Sequence, residues 1–236
     1  MDRIRRLLRN AQKNIRHHGL HKVACAALLK ALGYGRWLNV LRCHHVEEIN
    51  PAFLECPRDY AGSFLAPRAL GEFARDREAG ISEELLQYAW SKGDKCYGFT
   101  RDGELRAYGW YATTPTRVAP GLRIHFSRDY IYMYKGFTHA SHRGKRLFPF
   151  GMTRALRHYR AAGYKGMLLY VDARNLDSLK SCARMGWRVF GSVYIATVFG
   201  RRLILASPGC SRFGLRMEEV SDGPVQGAGA TRRFST

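Results

Sequence analysis

The sequence predicts an α/β fold in which a central sheet is flanked by helices, and three observations predict it. Two β-prone runs, residues 96–100 and 105–113, are separated by Arg101-Asp102-Gly103, and an Asp-Gly pair between two such runs is a strong hairpin signal. Residues 130–138 (YIYMYKGFT) form the most strand-like run in the chain, rich in aromatic side chains. A basic turn, a helical segment and a compact apolar run at 166–171 (GMLLYV) follow it, which is the order strand, turn, helix, buried strand.

The remaining elements fall around this core in order. Residues 2–16 place Ile4, Leu7, Leu8, Ala11 and Ile15 on one helical face and Arg5, Arg6, Arg9, Lys13 and Arg16 opposite, the pattern of a basic amphipathic helix. Such a helix can lie on an anionic membrane or pack its apolar stripe on the protein, and both readings stay open. His17-His18-Gly19 separates it from a second helix over about 21–32, apolar all round. Alternation from Trp37 to about Val46 predicts a strand, and helices follow near 67–79 and 82–92. Residues 115–128 read as a loop or an irregular strand. A helix is expected from about Pro149 to Ala162, with proline suited to its first turn. Asn175 and Ser178 open another helix, closed by Met185-Gly186-Trp187, and a strand follows over 188–198. From Pro208 the chain turns polar and Gly-rich, the composition of a disordered tail. The expected division is thus a helical extension (1–35), an α/β domain (36–207) and a flexible tail (208–236).

Composition narrows the function classes without choosing one. Lys and Arg number 39 against 19 Asp and Glu, a formal net charge of +20, so polyanions or phosphorylated ligands are the natural partners. The six cysteines show no C-x-x-C pair and no Cys/His grouping at zinc-binding intervals, so reduced thiols, no metal and a cytoplasmic location are expected. The apolar run at 23–32 is short and interrupted by Lys30, unlike a signal peptide or a membrane span.

The chemistry concentrates after the aromatic strand, at His139-Ala140-Ser141-His142-Arg143-Gly144-Lys145-Arg146-Leu147. A turn at a helix N-terminus presents free N–H groups and the positive end of the helix dipole, and Arg143, Lys145 and Arg146 add charge beside it: a phosphate site in physical terms. The same residues also fit an ordinary solvated basic turn. For proton transfer the nearby candidates are His139, His125, Asp129 and Tyr134, of which His139 has the pKa class suited to a general base. The aromatic set on 130–138 and Trp90, Trp110 and Trp187 read first as packing, although Trp110-Tyr111 could line an acceptor pocket.

Arg143-Gly144-Lys145, then Asn175, Ser178 three positions on, and Gly186-Trp187 closing the helix resemble the ordered motifs of the GNAT (N-acetyltransferase-like) acyltransferase superfamily. The resemblance implies a mixed, mostly antiparallel sheet flanked by helices. It implies acetyl-CoA or a longer acyl-CoA as co-substrate, with the backbone of Thr138 and His139 pairing with the pantetheine arm. The turn Arg143, Gly144, Lys145, Arg146, Leu147 and Phe148 would hold the pyrophosphate, and Asn175 and Ser178 would lie on the other side of the arm. Arg146 and Phe148 stand where the family has its second and third glycines, and Cys182 stands where many relatives carry a tyrosine that protonates the leaving thiolate. Cys182 is therefore either that acid or a small buried packing residue. The turn's Arg-Gly-Lys-Arg-Leu-Phe-Pro form also resembles bacterial acyltransferases linked to envelope or polysaccharide synthesis.

The function expected is direct acyl transfer to an amine or hydroxyl on a small molecule, lipid or saccharide. The alternatives are transfer from an acidic acyl carrier protein at a membrane surface, with peripheral contact through residues 1–16 on the inner face, and a non-catalytic basic module binding nucleic acid or anionic membrane. No nucleic-acid recognition motif is present, so nucleic acid is the less expected partner.

Overall fold

The computed structural model describes residues 38–198 and 201–220. The expected helical extension at 1–35 and the end of the tail at 221–236 lie outside the described residues.

The first described strand, β1 (Leu38–Val46), is followed by a 3₁₀ turn (Pro51–Phe53), the short β2 (Ala61–Phe64), α1 (Pro67–Phe73) and α2 (Glu83–Ser91). Ser82 caps α2 by accepting the Leu85 amide, which fixes where that helix starts. The hairpin β3 (Lys95–Arg101) and β4 (Glu104–Ala112) turns at Asp102 (φ 54°) and Gly103 (φ 78°), the two left-handed residues that the Asp-Gly signal predicts. The expected irregular segment is a second hairpin, β5 (Thr116–Ala119) and β6 (Leu122–His125). Then come β7 (Tyr130–Thr138), α3 (Leu147–Ala161), β8 (Gly166–Asp172), α4 (Leu176–Arg184), β9 (Arg188–Val198) and β10 (Arg201–Ala206).

Residues 208–219, expected in the tail, are folded: α5 (Pro208–Ser211) and β11 (Arg216–Glu219) follow β10. Sparse apolar residues hold them, because Cys210, Phe213, Leu215 and Met217 are all buried beneath the sheet while β11 pairs with β6. A polar average conceals four residues at positions that all point inward.

An eight-stranded, mostly antiparallel sheet runs β10-β9-β1-β8-β7-β4-β3-β2, and β11-β6-β5 form a small sheet of their own. β1 lies between β8 and β9, in register from Leu41↔Asp172 and Leu38↔Ala196. On one face α3 and α4 bury Tyr111, Ile131, Met133, Met167, Leu169 and Trp187. The other face carries two separate clusters, one under α1 and α2 (Leu70, Leu86, Tyr108, Trp110) and one under the small sheet (Ile124, Tyr132, Leu168, Phe213). Among the described residues no helix is long and apolar enough to cross a membrane, and all five cysteines are free thiols.

Candidate active site

Among the described strands the one parallel pair, β7 with β8, is joined from Tyr130↔Gly166 to Tyr132↔Leu168, after which the strands part. Beyond the fork a bulge shifts β7 against β4: Tyr111 faces Met133 and Trp110 faces Lys135, so Tyr134 is the extra residue. An extra residue bends the strand and inverts which residues turn their N–H and C=O groups to each edge. The His139 amide donates to the Arg106 carbonyl on β4 (2.8 Å), so Thr138 and Gly136 turn theirs into the fork. Across it the Ala173 amide donates to Val40 on β1 (2.9 Å), so Asp172 and Tyr170 face the fork from β8. Of the two backbone positions expected at the arm, Thr138 faces the fork and His139 has its amide engaged.

At the end of β7 the chain makes a 3₁₀ turn (Ala140–His142) capped by His139, then passes Gly144 (φ 81°) and Arg146 (φ 59°) into α3. Among the described residues the amides of Gly144, Lys145, Arg146 and Leu147 have no backbone acceptor. Arg143, Lys145 and Arg146 are exposed and form no ion pair among those residues either. Arg146 holds a left-handed, glycine-like backbone conformation at a steric cost of about 1 kcal/mol. Phe148 is half-buried, and its ring lies against Gly136 on β7. The Tyr60 hydroxyl and His142 Nδ1 are 2.7 Å apart beneath the turn. Burial, then the charges of Arg106 and Lys145, lower the His142 pKa.

On the far side, Asn175 Oδ1 accepts the Ser178 amide (3.1 Å), so both residues form the N-cap of α4. The Asn175 amide in turn donates to Asp172 at the end of β8 (2.8 Å), fixing this cap at the mouth of the fork. Burial works to raise the Asp172 carboxyl, but hydrogen bonds from Arg174 and its charge outweigh this and hold it below the usual range. Cys182 is buried among the residues between α4 and the sheet, and desolvation pushes its thiol up to about 12.

His139 is tied at both ring nitrogens, Nε2 to Glu78 (2.8 Å) and Nδ1 to Ser141 Oγ (2.7 Å). His125 pairs with Glu218 (2.7 Å) on the small sheet, and Asp129 pairs with Lys165 (2.7 Å) before the fork. The structure brings neither of these last two to the place where β7 and β8 part.

A group that sequence reasoning passed over lies on the face opposite α3. Asp94, between α2 and β3, has a side chain with no exposure and an ion pair with Lys92 Nζ (3.0 Å). Desolvation raises its carboxyl pKa despite that lysine. The Tyr134 hydroxyl at the bulge is buried beside Asp94, and burial followed by that carboxylate raises its pKa well above 10. Lys92 Nζ sits 4.9 Å above the Tyr88 ring and 5.9 Å from the Tyr134 ring centroid. Beside them, Tyr88 bridges α2 to β5 through the Arg117 amide (2.8 Å), and Trp110 Nε1 and Arg117 Nε are buried without partners. Lys135 donates to the Gly80 carbonyl (2.6 Å), and burial lowers its pKa. The available signal was the Lys-Gly-Asp end of α2: Gly93 (φ 73°) stops the helix and turns Asp94 inward.

No protein-family model matches the sequence, and no curated protein does. The chain is similar in structure to a GCN5-related N-acetyltransferase-like protein from Streptococcus suis 89/1591, at 13% identity and a TM-score of 0.47 over 71% of this chain and 65% of that one. It is also similar to an acetyltransferase of the GNAT family from Colwellia psychrerythraea, at 17% identity and a TM-score of 0.46 over 71% of this chain and 55% of that one. A ribosomal-protein-alanine N-acetyltransferase from Brucella melitensis biovar Abortus 2308 matches 54% of this chain over 91% of its own length, at 16% identity and a TM-score of 0.41.

Proposed function

We propose that this chain is an acyl-CoA-dependent N-acyltransferase of GNAT type, with acetyl-CoA as the reference donor. The observation that carries the reading is the fork between β7 and β8 opening beside an uncompensated basic turn at the start of α3. An extended amide-bearing arm can pair with the edges of Gly136 and Thr138, while its anionic end meets the amides of 144–147. Bound acyl-CoA would supply an activated carbonyl. The chain's part is to orient it and stabilise negative charge on its oxygen, for which the backbone of the bulge at Tyr134, outside the β4 ladder, is available. Asp94, a buried carboxylate with a raised pKa, is suited to receive a proton from an amine acceptor, and the Tyr134 hydroxyl to pass one to the leaving sulfur. His139 and Cys182 are left out of this scheme, the first because both ring nitrogens are engaged and the second because it lies in the core.

The proposed acceptor is an amine or hydroxyl on a small molecule, lipid or saccharide, and an acyl carrier protein is the alternative donor. Membrane contact through residues 1–16 falls outside the described residues. The test is thermal stabilisation by acetyl-CoA and longer acyl-CoAs in moderate salt, followed by thiol release against pooled amine and hydroxyl acceptors. Saturable stabilisation by acyl-CoA is expected. Stabilisation by DNA alone, vanishing with added salt, would overturn the proposal in favour of a basic binding module.

A further inference from the structure

We infer that Lys92 is a self-acylation site: its amine is held where an acceptor amine would be, and the chain transfers an acyl group from acyl-CoA onto it. This rests on the acyltransferase reading above.

A carboxylate and two aromatic rings surround the Lys92 ammonium. Lys92 Nζ lies 3.0 and 3.4 Å from the two Asp94 carboxylate oxygens and 4.9 Å above the face of Tyr88, with the Tyr134 ring 5.9 Å away. A carboxylate and two aromatic faces are what a site built to hold a primary ammonium presents. The lysine side chain is 15% exposed and the aspartate side chain not at all, so this is no solvated surface pair. It also has a direction. Tyr134 is the bulge residue two positions past the last joined pair of β7 and β8, and its ring ties the ammonium to the segment of β7 where the strands part. The other amine on this face, Lys135, is turned to the Gly80 carbonyl.

The chemistry balances with groups in hand and acyl-CoA as the one co-reactant. The Lys92 ammonium gives a proton to the Asp94 carboxylate, whose desolvated setting favours the neutral acid. The freed nitrogen forms a bond to the thioester carbonyl carbon as the carbon–sulfur bond breaks. The sulfur leaves with the electron pair and takes up the second proton lost from nitrogen, giving an amide, a free thiol and one proton on Asp94.

Acylation would do more than mark the chain. An amide carries no charge, so Asp94 would lose its ion-pair partner and remain buried beside Tyr134. Self-acylation would thereby change the proton affinity of the group proposed to receive the acceptor's proton.

The experiment incubates the purified full chain with acetyl-CoA and maps acetylated lysines by peptide mass spectrometry, with saturable acetyl-CoA binding measured on the same sample. The expected result is one acetyl group on Lys92 in the folded chain, absent from urea-unfolded chain and from Lys92→Arg. In Asp94→Asn it should form about 10²-fold more slowly, the size of a lost general base. Saturable binding with Lys92 unmodified overturns this inference and leaves the acyltransferase reading standing. Equal modification of Lys92 in folded and unfolded chain also overturns it, since chemical acetylation then suffices. No binding at all overturns both.

Discussion

The ring of Phe148 lies directly against the backbone of Gly136, so that a methyl group on residue 136 would overlap Phe148 Cε2 and Cζ and lie 2.9 Å from Met133 Cε. The two residues belong to different elements, Gly136 to β7 at the edge of the fork and Phe148 to the first turn of α3. Their fit explains how a phenylalanine is accommodated in the turn: the small residue it needs stands opposite it on the strand.

This fit predicts a specific rescue. Gly136→Ala should destabilise the fold by about 1–3 kcal/mol through overpacking, and shrinking the ring in Gly136→Ala/Phe148→Ala should recover much of the loss. Urea denaturation of the single and double variants measures it. Simple additivity of the two single changes would show that the contact is not the cause.

Arg146 predicts a gain of stability set against a loss of binding. Its φ of 59° is unfavourable for any side chain, so Arg146→Gly should stabilise the fold by up to about 1 kcal/mol. The same change removes a guanidinium from the basic turn, so acyl-CoA affinity should fall and depend less on salt. Thermal melts together with binding isotherms at two ionic strengths separate the two effects.

Asn175 carries a structural role that a binding assay alone would confuse with a ligand contact. Asn175→Ala removes the α4 cap and should cost about 1 kcal/mol, whereas Asn175→Asp or Asn175→Ser keeps a capping oxygen and most of the stability. If Asn175 also contacts the donor, Asn175→Ser will retain stability and still bind acyl-CoA more weakly. Unchanged affinity in that variant would confine Asn175 to the cap.

His44 on β1 gives a dependence on pH. It is buried, neither ring nitrogen has a hydrogen-bond partner, and burial followed by the charges of Arg42 and His45 lowers its pKa to about 4. The unfolded chain binds this proton near pH 6.5 and the folded chain only near 4. The contribution is therefore complete above pH 6.5 and lost as pH falls towards 4. For His44 alone the span corresponds to about 3 kcal/mol, and His45 and His142 are lowered in the same direction. His44→Phe should flatten the acid limb of the stability curve measured by denaturant titration at several pH values. A limb of unchanged slope would show that His44 is solvated in the folded state.

Much of the fold was legible because the signals were local. Asp102-Gly103 set a hairpin, the aromatic run at 130–138 marked β7 to the residue, and Asn175 marked the start of α4. The failures were failures of reach. β5 and β6 were passed over as irregular because the turn at Gly121 joins strands too short to show alternation, and β11 hid in a polar stretch whose partner lies nearly a hundred residues earlier. The same holds for the candidate site. The turn from Arg143 to Phe148 is contiguous and could be seen, whereas Asp94 meets Tyr134 only because the sheet places the start of β3 across from the bulge of β7. Nothing in the spacing of an aspartate and a tyrosine forty residues apart reveals that meeting, and the identity of the fork-facing residues depended on a bulge that no composition encodes.

The place of β1 has a practical meaning for anyone who alters the front of this chain. Among the described residues its ladder partners, at 167–172 and 188–196, come late in the sequence, and it is the strand that joins the β9–β10 hairpin to the rest of the large sheet. Shortening the chain into β1 would therefore not trim an edge. It would cut the large sheet in two, leave the β9–β10 hairpin to its packing on the small-sheet cluster, and remove the support behind the β8 side of the fork, so that a deletion at the front would be felt late in the sequence and at the place where the chemistry is proposed to occur.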